Sequence, residues 1–120
     1  MKPAIERTKQ YIREHFSEDV SLRELSVVSN LSLFYLVRTF RKEVGLAPHE
    51  YLVQVRIDEA RRLLREGRPI VEVAQDTGFS DQSHFTRSFK SRLGITPGRY
   101  KKGAGWKPTA PTAGKDACAP

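Results

Sequence analysis

One segment of this chain is written twice. Residues 22–32 align with residues 70–80 at an offset of 48. After one inserted residue, 33–51 align with 82–100 at an offset of 49. Seven pairs are identical: Glu24/Glu72, Ser32/Ser80, Arg38/Arg87, Phe40/Phe89, Gly45/Gly94, Pro48/Pro97 and Tyr51/Tyr100. Leu36/Phe85, Val44/Leu93 and Leu46/Ile95 are conservative. A self-match at this spacing marks one supersecondary unit built twice, and two copies make a duplicated module rather than a solenoid. Most of the 120 residues are therefore committed to two equivalent units.

Hydrophobic periodicity predicts helices throughout and no strand. Pro3 sits where a helix can begin, and Ile5, Thr8, Ile12 and Phe16 share one face. Ser21-Leu22-Arg23-Glu24 is a capping box that opens a short helix with Leu22 and Leu25 as its buried side, ending near Ser29-Asn30. Ser32 caps a third helix in which Leu36, Phe40 and Val44 recur, and Gly45 stops it. Pro48 opens a longer helix with Leu52, Val55, Ala60, Leu63 and Leu64 inward, ending at Gly67, after which the pattern restarts.

Each unit reads as short helix, tight turn, longer helix. The turn holds Asn30 in one copy and Gly78 in the other, the residue types that best tolerate positive φ. Small residues, Ser26 and Ala74, stand where the second helix crosses the first. These are the requirements of a helix-turn-helix, although any single unit is equally an ordinary helical hairpin. At about 100° per residue, Phe85, Phe89 and Leu93 form one stripe, opposite Ser83, His84, Arg87, Lys90 and Ser91. In the first copy Leu36, Phe40 and Val44 leave Phe34, Tyr35, Arg38, Arg41 and Lys42 facing away.

Charge narrows the partner. Lys plus Arg is 21 against 14 acids, a net charge of +7, which favours an anionic partner, with nucleic acid ahead of a membrane surface. Residues 1–30 balance five bases with five acids, whereas Gln82 to Lys115 holds eight bases and no acid. Arg38 and Arg87, at equivalent positions, suit bidentate contacts to guanine; the competing role is a surface ion pair. Phe34 suits a thymine methyl, or else packs on the neighbouring hairpin. Arg41, Lys42 and Lys90 lie a turn further along and suit phosphates, which position a helix without reading sequence. Ser32 and His84 join that phosphate set, His84 being otherwise an exposed histidine.

The segment Arg61-Arg62-Leu63-Leu64 … Pro69-Ile70-x-x-Val73-Ala74-x-x-x-Gly78-Phe79-Ser80-Asp81-Gln82-Ser83-x-Phe85-x-Arg87-x-Phe89-Lys90 … Gly94-Ile95-Thr96-Pro97-x-x-Tyr100 closely resembles the AraC/XylS signature. Upstream, Leu31-Ser32-x-x-Tyr35-Leu36-x-Arg38-x-Phe40-Arg41-Lys42-x-x-Gly45-x-x-Pro48-x-x-Tyr51 resembles that family's first helix-turn-helix, so the likeness covers roughly 4–102. It implies an all-α fold of about seven helices, with two homeodomain-like helix-turn-helix units joined by a long linker helix. The expected division is 1–47 for the leading helix and first unit, 48–67 for the linker, 68–102 for the second unit, and 103–120 as a disordered tail. Recognition helices near Ser32–Val44 and Asp81–Leu93 would enter successive major grooves on one DNA face. Carried over, the base-contacting positions fall on Phe34, Val37 and Arg38, then Gln82, Ser83, Thr86 and Arg87. Phase alone places Val37, Gln82 and Thr86 on the flanks. Leu33 departs from the proline or polar residue frequent at that place in the family, and apolar Phe34 and Val37 shift the first unit's readout towards shape and methyl contacts.

The resemblance implies a transcriptional regulator whose partners are double-stranded promoter or operator DNA and RNA polymerase, touched or blocked. Family members usually carry an effector-binding or dimerising domain before this one. The chain is thus expected to be a monomeric stand-alone regulator or the DNA-binding part of a longer protein. No stretch approaches the roughly 18 apolar residues of a membrane helix, and no secretory signal opens the chain, so a bacterial cytoplasmic, nucleoid-associated location is expected. His15, His49, His84 and the single Cys118 lack zinc spacing, and no phosphate loop or nucleophile elbow is present. The sequence therefore predicts no metal, no cofactor and no enzyme. The alternative is a helical protein-interaction domain whose basic face meets an acidic partner. Residues after Lys102, rich in Ala, Pro, Gly and Thr, hold Trp106 and Cys118 without an apolar period.

Overall fold

A computed structural model describes residues 2–102; the expectations for the tail, Trp106 and Cys118 lie outside them. Seven helices follow in order: α1 (Lys2–His15), α2 (Leu22–Ser29), α3 (Leu33–Val44), α4 (Pro48–Arg65), α5 (Ile70–Asp76), α6 (Gln82–Leu93) and α7 (Pro97–Lys102). The described residues contain no strand, so the all-α expectation holds. The longest dimension is 45 Å.

Two apolar clusters form, one per copy of the repeat. Ile5, Ile12, Leu25, Leu36, Phe40 and Leu52 make the first. Ile57, Ala60, Leu63, Leu64, Val73, Ala74, Phe79, Phe85, Phe89 and Tyr100 make the second. Helix α4 serves both, giving Leu52 to one core and Ile57 onward to the other. Leu22 is a correction: it is 41% exposed. At the first position of α2 it borders an open cleft with Val20, His49 and Leu52, while Leu25 and Ser29, one and two turns on, take the buried face.

The duplication is visible atom by atom. The Leu31 N–H donates to the Ser26 carbonyl and the Phe79 N–H to the Ala74 carbonyl, at 3.2 and 3.1 Å, the same helix-ending bond in each unit. Asn30 and Gly78 both take positive φ, 60° and 91°. The Tyr51 ring meets Phe40 edge-on at 5.6 Å, as Tyr100 meets Phe89 at 5.5 Å. Each tyrosine hydroxyl accepts from an arginine, Arg13 at 2.7 Å and Arg65 at 2.8 Å. That last pair extends the repeat upstream: Ile5, Ile12, Arg13 and Glu14 correspond to Ile57, Leu64, Arg65 and Glu66 at an offset of 52. Helix α1 is to the first unit what the second half of α4 is to the second. The changed offset had hidden this, because the α1–α2 connection is longer.

That longer connection joins the units. Arg56, 8% exposed, donates from Nε to the Phe16 carbonyl (2.7 Å) and from Nη2 to the Glu18 carbonyl (2.9 Å). Its guanidinium carbon lies 5.8 Å from the Phe79 ring centroid, within cation–π range. Burial lowers the Arg56 pKa from its ordinary value and the nearby Asp19 charge opposes the shift. Gly78 completes the junction. A Cβ there would sit 2.8 Å from the Phe16 carbonyl oxygen and 3.0 Å from Arg56 Nε, whereas one on Gly45, also at φ 91°, would meet nothing within 4 Å. Gly45→Ala should therefore cost only the left-handed backbone penalty, about 1–2 kcal/mol. Gly78→Ala should cost at least about 1 kcal/mol beyond that, because backbone must move. Urea denaturation of the two variants checks this, and equal losses would mean the junction is not tight.

Candidate nucleic-acid interface

The recognition helices are held by their turns. Ser21 Oγ accepts the Glu24 N–H (3.1 Å) and Glu24 returns the bond to the Ser21 N–H (3.0 Å), so α2 starts on the predicted capping box. Arg7 of α1 donates to the Val28 and Ser29 carbonyls (3.4 and 3.2 Å), satisfying groups the end of α2 leaves open. Ser32 Oγ accepts the Tyr35 N–H at 3.3 Å and opens α3. In the second copy the inserted residue changes the cap: Asp81, not the aligned Ser80, accepts the His84 N–H at 2.7 Å. The cap at each start fixes the phase of the helix that follows, and hence which side chains face out.

On α6, Gln82, Ser83, Thr86 and Arg87 line one open concavity of about 540 Å³. Gln82 and Thr86, which phase alone set on the flanks, join Ser83 and Arg87 there. On α3, Phe34 is 74% exposed and Arg38 is exposed beside it, while Val37 is half-buried. Leu33 and Tyr35 are also exposed at the start of α3. Of the expected phosphate contacts, Lys42 and Lys90 are exposed, and Arg41 lies 4.0 Å from Glu50. His84 is half-buried, its ring edge-on to Phe79 at 5.3 Å and its Nδ1 3.3 Å from Ser80 Oγ.

Pairing separates scaffold from surface. Arg62 bridges Glu59 and Glu66, and Arg68 bridges Glu72 and Asp76. Arg13, Arg56 and Arg65 are spent on oxygens of the fold. Among the described residues, Arg38, Lys42, Arg87 and Lys90 have neither an ion pair nor a side-chain hydrogen bond. The other unpaired bases are Arg23 at the start of α2 and Arg99, Lys101 and Lys102 in α7. Neither Arg38 nor Arg87 forms the competing ion pair with a described residue. Sequence reading passed over a second group, His49 on α4 with Ser88 and Arg92 on α6, because helical phase within one element says nothing about what a neighbouring helix brings alongside.

Two short helix pairs with left-handed turns, each presenting a second helix with unpaired cations, define a tandem helix-turn-helix domain. The helix-turn-helix domain family matches residues 25–103. The protein called "Probable transcriptional regulator LumQ", from Photobacterium leiognathi, is 37% identical over 92 residues, 76% of this chain and 37% of that one. The C-terminal domain of AraT, a response regulator from Geobacillus stearothermophilus, superposes with a TM-score of 0.81 at 30% identity, covering 93% of this chain and 94% of that one. The DNA-binding domain of AdpA, a global transcriptional factor solved in complex with a target DNA, gives 0.78 at 27% identity over 82% and 89%. The chain belongs to the AraC-type helix-turn-helix family, whose members are domains of transcriptional regulators and not enzymes. It spans about a third of the length of the curated relatives it matches. No helix of the described residues is long and apolar enough to cross a membrane.

The cap that starts the first helix-turn-helix carries a pH signature. The Ser21 backbone N–H, then the Tyr11 hydroxyl (2.9 Å), hold the Glu24 carboxyl below its ordinary pKa. A lowered folded value means the stabilisation is complete above the unfolded pKa and vanishes as pH falls through the folded one. Glu24→Gln, which keeps the capping shape, should lower the melting temperature at pH 7. The gap should begin to narrow as pH falls through the ordinary glutamate range, about 4.3, and close only once pH has passed below the lowered folded value. Thermal melts from pH 3 to 7 measure it.

Proposed function

We propose that this chain is a sequence-specific, double-stranded DNA-binding transcriptional regulator whose α3 and α6 enter adjacent major-groove segments on one face of the duplex. One observation carries the reading: Arg38 and Arg87, equivalent in the two copies, are exposed and unpaired on the outer faces of their helices, whereas the other described arginines, apart from Arg23 and Arg99, are engaged within the fold. A guanidinium with no internal partner, at a helix face able to enter a groove, suits guanine O6 and N7. The concavity of Gln82, Ser83, Thr86 and Arg87 supplies hydrogen-bonding side chains for several base edges. Phe34, Val37 and Arg38 supply methyl contact and one bidentate donor. Ser32, Arg41, Lys42, His84 and Lys90 hold phosphates.

Two helix-turn-helix units in one chain replace the usual dimer, so this segment binds as a monomer. Successive major-groove segments lie about 34 Å apart, which fits a body 45 Å long. If the junction at Arg56 holds the helices closer than that, the duplex bends. Bound at a promoter in the bacterial cytoplasm, as a nucleoid-associated protein, the domain touches RNA polymerase or blocks it.

Selection from a randomised duplex pool would supply the preferred site. On that site Arg87→Ala should cost about 1–3 kcal/mol and relax selection at one base pair. Equal weakening on specific and random duplexes would make Arg87 a phosphate contact instead. Binding of the unmodified chain should fall with salt at a log–log slope of about −0.9 per phosphate neutralised. A salt-insensitive interaction, or no duplex binding at micromolar protein, would favour an acidic protein partner.

A further inference from the structure

A second cleft opens beside the base-facing concavity, between the first two turns of α4 and one flank of α6. It is about 320 Å³ and is lined by His49 and Val53 from α4 and by His84, Arg87, Ser88, Ser91 and Arg92 from α6. Every polar lining group can donate a hydrogen bond, and none is a carboxylate. His49 is exposed and engages no other described residue. His84 has Nδ1 at Ser80, which leaves Nε2 for the cleft. Arg92 uses one Nη on Gln54 Oε1 at 3.0 Å, which fixes the guanidinium in place. Burial lowers its pKa, and Glu50 and Asp58 behind it oppose the shift. Those two acids have other partners of their own, Arg41 and the Ala47 N–H for Glu50, Arg61 and Gln54 for Asp58.

Position argues for the occupant. Only Gly45, Leu46 and Ala47 separate the end of α3 from the start of α4, so the α4 wall of the cleft begins within a few residues of the first recognition helix's end. Arg87 lines both the cleft and the base-facing concavity, so the two adjoin along α6 with Arg87 between them. When two helices occupy successive major-groove segments, the backbone that separates those segments passes between them. Its oxyanions need donors placed on both flanks.

We infer that this cleft is the seat of one phosphodiester of the DNA backbone between the two major-groove segments. His49 closes on it from the linker helix, and Ser88, Ser91 and Arg92 from the second recognition helix. This rests on the DNA-binding reading and adds to it a contact made by both units at once. The seat carries no base information. It sets how far apart the two helices can read, because a phosphate held by α4 and α6 together locks the register between the segments.

The test uses the full chain and its selected duplex, with a single uncharged methylphosphonate linkage moved through the central step of each strand. One central linkage should weaken the unmodified chain about tenfold, the scale of a lost charge-assisted contact. His49→Glu and Ser91→Glu should each weaken the native duplex by a similar factor. Both should keep the same selected sequence and lose their sensitivity to that linkage. Sensitivity that is absent at every central linkage, or that persists unchanged in both variants, overturns the seat while leaving DNA recognition standing. Absence of any sequence preference in the unmodified chain overturns both. Inorganic phosphate shifting the His49 and His84 proton resonances, with no central linkage mattering, would assign the cleft to free phosphate and also overturn the proposal.

Discussion

Arg56 is the interaction on which the rest of the molecule depends. Two helical units of about 48 residues each have their own apolar core, and the two cores share only helix α4. The continuous helix α4 carries both cores, and one guanidinium pins the junction at the point where α4 passes from the first core to the second. It holds the Phe16 and Glu18 carbonyls with one edge and lies near the face of Phe79. Hydrogen bonds from a charged donor are worth about 1.5–3 kcal/mol each, and removing the donor strands buried carbonyls. Phe79 in turn packs against Phe85 and His84 at the base of α6. The chain of contact therefore runs from the α1–α2 loop to the second recognition helix through three side chains.

The duplication explains why that junction can exist. The units repeat down to their tyrosine–arginine pairs, Arg13 with Tyr51 and Arg65 with Tyr100. They differ by four residues in the connection that follows the leading helix, an offset of 52 becoming 48. Those extra residues lie in the loop that Arg56 grips and against which Gly78 is pressed. An exact repeat would have no such protrusion to dock. The departure from symmetry makes the contact between the copies.

Charge follows the same division. Acids and bases on the scaffold faces neutralise one another, as in the Glu59–Arg62–Glu66 and Glu72–Arg68–Asp76 groups. The recognition helices α3 and α6 keep Arg38, Lys42, Arg87 and Lys90 unspent. A chain of net charge +7 therefore keeps four unpaired cations on these two helices. The other unpaired cations among the described residues, Arg23 in α2 and Arg99, Lys101 and Lys102 in α7, lie off those two helices.

The sequence by itself determined the helices, their caps, the two turns and the outward phase of Arg38 and Arg87, because each depends on interactions within a few residues. Ser21 with Glu24, Ser32, and the positive φ at Asn30 and Gly78 are local chemistry, legible from residue type and spacing. It misjudged Leu22, whose apolar character said nothing about its place at a helix end. The buried role of Arg56 and the steric need for glycine at 78, beyond its φ, only the tertiary structure decided. So too with the bringing of His49 and Arg92 to one cleft. Each of these depends on which surfaces of segments forty or more residues apart come together, and periodicity along one helix carries no information about its neighbour.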